Sequence, residues 1–401
     1  MINARHDNDA AASKSPAPRP RRRLGRLITK AGIIVVAALA VMLLALALIG
    51  SPWRAYEAAR LLLDLAALDA PDSQRRTPPM MRAPVTYEVD HRTYRGDVYR
   101  PLEEPQAGLV LLHGASPLGK DEPRLVDFAA TLASTRFVVL VPDLVGLRQL
   151  KLRAVAARDI ADAVLYMQAT PGLAPNNRIG IVSLSVASGP ALLAAAEPRI
   201  RERLGFILAI GGYYDMLDML TFSTTGDFKN GAQWHHREPN EYGKWVLVLS
   251  NVDQLPAASD RRVLTAIARR KLKDPRADVT TLAARLSPQG RAVYDFVNNT
   301  DRQRVQELFA QLPMNIKSEI QALSLSKRDL SGIKAQVILV HGLNDPMIPY
   351  TESVALAGAL PPSQVRLFLV NGLVHVDLKP APVDYWRIYR AVYTLLLERD
   401  R

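Results

Sequence analysis

The pattern of apolar and polar positions changes character at about residue 84. From there on, short apolar runs alternate with longer stretches whose apolar residues recur every three to four positions. The runs are typical of buried strands and the stretches of helices. Because the strands would be apolar along most of their length, the pattern indicates a mostly parallel sheet covered by helices on both faces. The runs that predict these strands are 109–112, 137–141, 179–184, 206–210, 335–340 and 365–370.

Two further strands are predicted ahead of these, at 85–89 and 93–99, the second broken at Gly96. The alternation stops at residues 213–330, which are mostly helical in pattern and polar, with scattered Pro, Asn and Arg. We therefore expect an α/β core formed by 84–212 and 331–401, with 213–330 inserted as a mainly helical cap beyond the carboxyl ends of the strands.

The N-terminal part contains twenty consecutive uncharged residues at 31–50. At about 1.5 Å per helical residue, they span a hydrocarbon core of about 30 Å. Trp53 and Tyr56 follow, where interfacial aromatic residues belong. A cleaved signal peptide usually has a shorter apolar region, of about 7–15 residues. The pattern predicts a transmembrane signal anchor, followed by a stalk and linker at 51–83 with Arg60 and Asp64 facing outward.

Charge sets the expected orientation of this anchor. Residues 1–30 carry eight basic and two acidic residues, a net charge of +6, and contain few apolar residues, which predicts a disordered tail. The basic side of a span stays in the cytoplasm, so the rest of the chain should lie on the periplasmic, exported side of a bacterial inner membrane. The tail holds half of the total charge of +12. The remaining +6 is spread over 371 residues without a basic stripe, which argues against a nucleic-acid partner.

Composition excludes several kinds of chemistry. The chain has no cysteine, so it has neither disulfides nor a thiol nucleophile. His, Asp and Glu at metal-ligand spacing are absent, and so are glycine-rich loops for phosphates or dinucleotides. We therefore expect no metal and no cofactor.

A serine lies where the predicted strand 179–184 turns into an Ala- and Leu-rich predicted helix. A sharp turn between a strand and a helix packs backbone closely, so the residues two before and two after the serine must be small. Of the serines at 183, 185 and 188, Ser185 alone meets this condition, with Ser183 and Ala187 as its flanks. The segment is a variant of the G-x-S-x-G nucleophile elbow in which both glycines are replaced.

Residues 84–398 resemble an α/β-hydrolase of the serine-esterase or dienelactone-hydrolase-like type with an inserted cap. The order of the motifs is more specific than any one of them, and the elbow departs from the family pattern at both glycines. The segments that carry the resemblance are Gly96-Asp-Val-Tyr-Arg-Pro101, Val110-Leu-Leu-His-Gly-Ala115, Ser183-Leu-Ser185-Val-Ala187, His341-Gly-Leu-Asn-Asp345-Pro-Met-Ile-Pro349 and Asn371-Gly-Leu-Val-His375.

In this fold the nucleophile, the acid and the histidine follow in that order, which gives Ser185, Asp345 and His375. Asp345 and His375 each follow a predicted strand by a short loop, so both should reach the sheet edge that carries the elbow. Asp345 also suits an Asp-initiated turn before Pro346. Asp377 is a rival acid, although it lies only two residues from the histidine. The other histidines are His6 in the tail, His91 near the first strands, His235 and His236 in the cap, and His113 and His341, which we assign to loop packing.

An oxyanion formed at Ser185 needs donors in place, and the main-chain N–H groups of Val186 and Ala115 are the candidates. Cap aromatic residues either pack the cap on the core, which we favour, or line an acyl pocket above Ser185. They are Tyr213, Tyr214, Phe222, Phe228, Trp234, Tyr242, Trp245, Tyr294 and Phe296.

These features predict a membrane-anchored serine hydrolase that cleaves carboxylic esters through an acyl-enzyme, with a small-molecule or lipid-like acyl substrate. A peptidase or an acyltransferase would use the same triad. A non-catalytic binding protein on a hydrolase scaffold is the alternative from another class, and an intact triad argues against it.

Overall fold

The computed structural model describes residues 51–66, 80–378 and 382–401. The predicted tail at 1–30 and the predicted membrane anchor at 31–50 lie outside these residues. Within the described part of the chain, no helix combines the length and the apolar character that crossing a bilayer requires.

Eight strands form one sheet, in the order β1-β2-β4-β3-β5-β6-β9-β10. The first three in this order pair antiparallel, and every later neighbour pairs parallel. The mostly parallel sheet expected from the uninterrupted apolar runs is therefore present. The strands are β1 (Met80–Val89), β2 (Arg92–Pro101), β3 (Ala107–Leu112), β4 (Phe137–Pro142), β5 (Ile179–Leu184), β6 (Leu204–Ile210), β9 (Gln336–Gly342) and β10 (Val365–Val370).

The expected break at Gly96 is wrong, because β2 continues through it. Glycine serves here for a close approach to the neighbouring strand. A side-chain carbon at this position would lie 2.7 Å from the carbonyl oxygen of Val141 in β4. Glycine inside a strand often marks such a contact rather than an interruption.

Helices cover both faces of the sheet, as expected. One face packs against α4 (Ala156–Ala169), α5 (Ser188–Ala196) and α13 (Thr351–Gly358), and the other packs against α1 (Pro52–Ala66), α2 (Pro123–Ala133) and α14 (Pro382–Asp400). A short α3 (Val145–Arg148) follows β4. Short 3₁₀ turns lie at Gly119–Asp121, Pro175–Asn177, Ser185–Ala187, Val252–Gln254, Arg302–Arg304, Leu325–Lys327 and Leu330–Gly332.

The chain between β6 and β9 is mainly helical and has an apolar core of its own. It also contains a hairpin of β7 (Asp227–Asn230) and β8 (Gln233–His236), which the sequence pattern did not indicate. The hairpin is largely exposed, so it lacks the apolar alternation by which strands are recognised. The helices are α6 (Met216–Thr225), α7 (Glu241–Asn251), α8 (Ala258–Lys273), α9 (Thr280–Ala283), α10 (Pro288–Val297), α11 (Val305–Gln311) and α12 (Met314–Leu323).

Helix α1 requires a revision of the predicted stalk. Leu61 and Leu62 are buried in the same apolar cluster as α2 and α14. The carboxylate of Glu57 accepts hydrogen bonds from Arg136, which directly precedes β4, and from the buried Arg399 of α14. Residues 56–66 therefore belong to the folded body, and Tyr56–Arg401 form one compact unit. An apolar face and a buried ion pair hold them there.

Candidate active site

Ser185 lies in a strained turn at the carboxyl end of β5. Its φ is +56°, in the left-handed region, and the 3₁₀ turn Ser185–Ala187 leads directly into α5. Such a conformation costs a non-glycine residue about 1–3 kcal/mol and is typical of functional turns. The flanking Ser183 and Ala187 are both fully buried, because the turn leaves no room for larger side chains. This geometry is that of a nucleophile elbow.

The chain returns to the same sheet edge twice more. Asp345 follows the end of β9 by three residues. His375 lies in the turn between two short strands, β11 (Leu373–Val374) and β12 (Asp377–Leu378), which follow β10. Gly342 allows this hairpin to cross β9, since a side-chain carbon there would overlap the carbonyl oxygen of Leu373.

The three predicted side chains form one hydrogen-bonded chain. The Nε2 atom of His375 lies 2.8 Å from the hydroxyl oxygen of Ser185. Its Nδ1 atom lies 2.9 Å from Oδ2 of Asp345. The carboxylate that contacts the histidine is thus that of Asp345. An acid, an imidazole and a hydroxyl in this arrangement can move a proton from the hydroxyl to the ring.

Asp345 is fully buried, and its environment favours the charged form. Burial alone would raise the pKa of the carboxyl, but the neighbouring imidazoles of His341 and His375 outweigh burial and hold the pKa well below its usual range. The other oxygen, Oδ1, accepts hydrogen bonds from the N–H groups of Met347 and Ile348 at 2.7 and 3.0 Å. The carboxylate is therefore ionised and fixed in orientation.

His341 has a second role that loop packing did not suggest. Its Nε2 lies 2.9 Å from the carbonyl oxygen of Ile348, so this nitrogen carries the proton. The same nitrogen lies 3.4 Å from Oδ2 of Asp345. Nδ1 then accepts from the hydroxyl of Ser353 at 2.7 Å. The ring therefore lies beside the same carboxylate oxygen that contacts His375. The His341-Gly342 pair ahead of Asp345 was the sequence feature from which this contact with the acid could have been predicted.

The loop after β3 brings the predicted Ala115 beside the elbow. Ala115 and Val186 line the same cavity as Ser185. Gly114 lets the loop approach, because a side-chain carbon there would lie 3.5 Å from Cβ of Ser185. The N–H of Val186 lies in the first turn of a helical segment, where no intrahelical acceptor exists. Both residues thus border the cavity at the serine, the placement expected of the predicted oxyanion donors.

His113 holds this loop in place rather than taking part in the chain of three. Its Nδ1 donates to the carbonyl of Gly114 at 2.8 Å, and its Nε2 accepts from the N–H of Leu144 at 3.3 Å. These two bonds require the neutral ring, and burial lowers the pKa of His113 accordingly. Loop packing, the role expected from the sequence, is the role observed.

Gly211 is a site residue that sequence reasoning missed. Its φ is +63°, and a side-chain carbon there would lie 3.5 Å from both Oδ2 of Asp345 and Nδ1 of His375. It therefore forms part of the wall around the acid–imidazole pair. The Gly211-Gly212 dipeptide at the end of β6 was visible in the sequence, but its contact with two distant loops was not.

A cavity of about 550 Å³ opens at Ser185, a size within the range of small-molecule sites. Of the nine cap aromatic residues, all within the described chain, Tyr242 alone lines it. Met216, Met219 and Leu220 of α6 form part of the cap wall instead. Among the others, Tyr213 and Trp245 are buried in the apolar core of the inserted segment, and Phe222 is fully buried as well. Packing, the interpretation favoured from the sequence, accounts for most of these side chains.

Comparisons with known proteins agree with the architecture. No family model matches the sequence, and a search of curated proteins finds no match. Among solved structures, a candidate hydrolase from Legionella pneumophila aligns over 84% of this chain and 94% of its own, with 12% identity and a TM-score of 0.54. The rice cell wall degrading esterase LipA from Xanthomonas oryzae aligns over 83% of this chain and 91% of its own, with 13% identity and a TM-score of 0.51. The chain has the α/β-hydrolase fold.

Proposed function

We propose that the protein is a serine hydrolase that cleaves carboxylic esters. The observation that carries the proposal is the continuous hydrogen-bonded chain from Ser185 through His375 to the buried Asp345. The names of the two similar structures, a candidate hydrolase and an esterase, support it as well.

In the first half of the reaction, the hydroxyl oxygen of Ser185 attacks the ester carbonyl carbon while Nε2 of His375 takes its proton. The tetrahedral intermediate collapses when the bond to the alkoxy group breaks, and His375 gives its proton to the departing alcohol. An acyl group remains bound to Ser185. In the second half, His375 takes a proton from water, the hydroxide attacks the acyl carbon, and the proton returns to Ser185 as the carboxylic acid leaves.

Asp345 acts by holding Nδ1 of the imidazole and by stabilising the positive charge that appears on the ring. It stays ionised throughout, in keeping with the lowered pKa of its carboxyl. The negative charge on the carbonyl oxygen is stabilised by the N–H groups of Ala115 and Val186. Each such donor is worth about 3–4 kcal/mol of the barrier.

Replacing Ser185 with alanine tests the proposal. Ser185→Ala should abolish turnover of p-nitrophenyl acetate and labelling by a fluorophosphonate, with the circular dichroism spectrum unchanged. Ser188→Ala removes a nearby buried hydroxyl outside the catalytic chain and should retain both. Hydrolysis and labelling that persist in Ser185→Ala would refute the assignment. A wild-type protein that neither reacts with the probe nor hydrolyses any ester would favour a binding scaffold instead.

We also propose that residues 31–50 anchor the protein in a bacterial inner membrane, with the folded body on the periplasmic side. The uncharged run and the basic flank before it support this orientation. In spheroplasts of a bacterial host, protease added outside should degrade the body while the protein stays in the membrane fraction. Protection of the body in intact spheroplasts would contradict the orientation.

A further inference from the structure

The cavity at Ser185 does not end beneath the cap. It continues into the layer between the sheet and the helices α2 and α14. Leu208 of β6 and Val340 of β9 line it on the sheet side, and Phe128 and Val392 line it on the helix side. Leu61 and Leu65 of α1 form its far wall. The space therefore runs from the serine through an apolar layer of the protein.

The exposure of these side chains shows that the layer is open inside. Leu208 and Val340 retain 6% and 8% of their accessible surface, although helices cover this face of the sheet. Their chain neighbours Ile207 and Leu339, which belong to the apolar cluster on the other face, retain 0%. At these positions near the carboxyl ends of β6 and β9, the side chains that face α2 and α14 border the cavity, and their neighbours on the other face are fully covered.

An open apolar space inside a protein is unusual, because interiors are normally close-packed and voids forfeit dispersion contacts. Water does not fill such a space well, since a buried water needs two to four polar partners. Ala391 of α14 contributes to the opening, because its side chain is short where neighbouring helix positions carry larger residues. An apolar space that starts at a reactive hydroxyl and extends beneath the helices suits a hydrocarbon chain.

We propose that this space binds the hydrocarbon chain of the substrate's acyl group, so that the preferred substrates are esters of long-chain carboxylic acids. The inference rests on the proposed function. The acyl part is the part that remains bound to Ser185 through both halves of the reaction. A leaving alcohol must depart between these two halves. An alcohol bound in the space between the sheet and the helices α2 and α14 would have to withdraw past the serine before water could attack.

The test compares p-nitrophenyl acetate, octanoate and palmitate. Ala391→Leu places a larger side chain in the space and should lower kcat/KM for octanoate and palmitate roughly tenfold or more, the discrimination that one or two methylenes of pocket space provide. Acetate does not reach this layer, so its kcat/KM should change less than about twofold. Thr394→Leu, on the same helix but outside the cavity lining, is the matched control and should leave all three unchanged.

Leu65→Phe gives a second measurement at the far wall, where the half-buried side chain tolerates a larger one. It should lower kcat/KM for palmitate and leave octanoate and acetate close to wild type. If Ala391→Leu does not fold, which loss of acetate hydrolysis would reveal, this variant decides the question.

The outcomes separate the two proposals. The acyl-chain site is overturned if the wild-type protein hydrolyses acetate but its kcat/KM falls steadily with chain length. It is also overturned if the variants keep the chain-length profile of the wild type. Either outcome leaves the proposed serine hydrolase unaffected. A wild-type protein that hydrolyses none of the three esters would overturn the hydrolase as well.

Discussion

Replacing Asp345 with asparagine changes one carboxylate oxygen to an NH₂ group of similar size. Oδ1 accepts from the N–H groups of Met347 and Ile348, and only an oxygen can keep both bonds. The amide nitrogen must then take the place of Oδ2, 2.9 Å from Nδ1 of His375. Two donors face each other there unless the imidazole moves its proton to Nε2. With the proton on Nε2, the ring cannot accept one from Ser185.

We expect Asp345→Asn to lower kcat by about 10⁴-fold, the cost of the wrong tautomer in triads of this kind. At 1.36 kcal/mol per factor of ten, this is about 5 kcal/mol of the barrier. Steady-state hydrolysis of p-nitrophenyl acetate measures it. Because the two main-chain bonds to Oδ1 survive, the melting temperature and the KM should change far less than kcat.

Asp377→Asn is the matched control, since this carboxyl is the rival acid two residues from His375. It should retain kcat within a few-fold of wild type. Asp345 is not the acid of the triad if Asp345→Asn keeps more than a tenth of the wild-type kcat, or if Asp377→Asn is the variant that loses activity.

Two other substitutions test the surroundings of the site. Gly211→Ala should lower the free energy of unfolding, measured by chemical denaturation, by about 1–2 kcal/mol, because the φ of +63° disfavours a side chain. The new methyl group would lie at ordinary contact distance from the acid–imidazole pair, so kcat should stay within several-fold of wild type. A large loss of kcat at unchanged stability would contradict this expectation. Burial raises the pKa of Glu352 to about 8 from the ordinary 4.5. The unfolded chain therefore loses this proton at a lower pH than the folded protein does, and the free energy of unfolding falls as pH rises from about 4.5 to about 8. Glu352→Gln should remove this decline and raise the melting temperature above pH 8, whereas an equal decline in variant and wild type would show that another group causes it.

Much of the fold follows from local pattern. Buried parallel strands are apolar throughout, so 109–112, 137–141 and 179–184 stand out in the sequence and form the centre of the sheet. The candidate triad follows from chain order and from the rule that parallel strands end at one edge. Ser185 could be selected because a tight turn needs small flanks, and Ser183 and Ala187 are both fully buried.

The remainder depends on contacts between distant parts of the chain. Apolar residues recur at helical spacing at Ala58, Leu61, Leu62 and Leu65. This spacing predicts a buried helix face but does not identify the elements that it packs against. The roles of His341 and Gly211 arise because separate loops meet around Asp345. The internal space is harder still to foresee, because it is a volume that no side chain fills. The short side chain of Ala391 in α14 is one sequence feature that contributes to it.

The ion pair between Glu57 and Arg399 joins two positions that are 342 residues apart in the chain. Arg399 is almost fully buried, and a shortened protein that begins at Met80 would remove one of its two carboxylate partners, leaving Asp400 and the carbonyl oxygen of Thr135. The same truncation would uncover the gap that Leu61 and Leu65 close. Preparing the folded body for crystallisation or enzymology therefore calls for a start ahead of Glu57, and a tag at the C-terminus needs a spacer long enough to leave the last helical turn undisturbed.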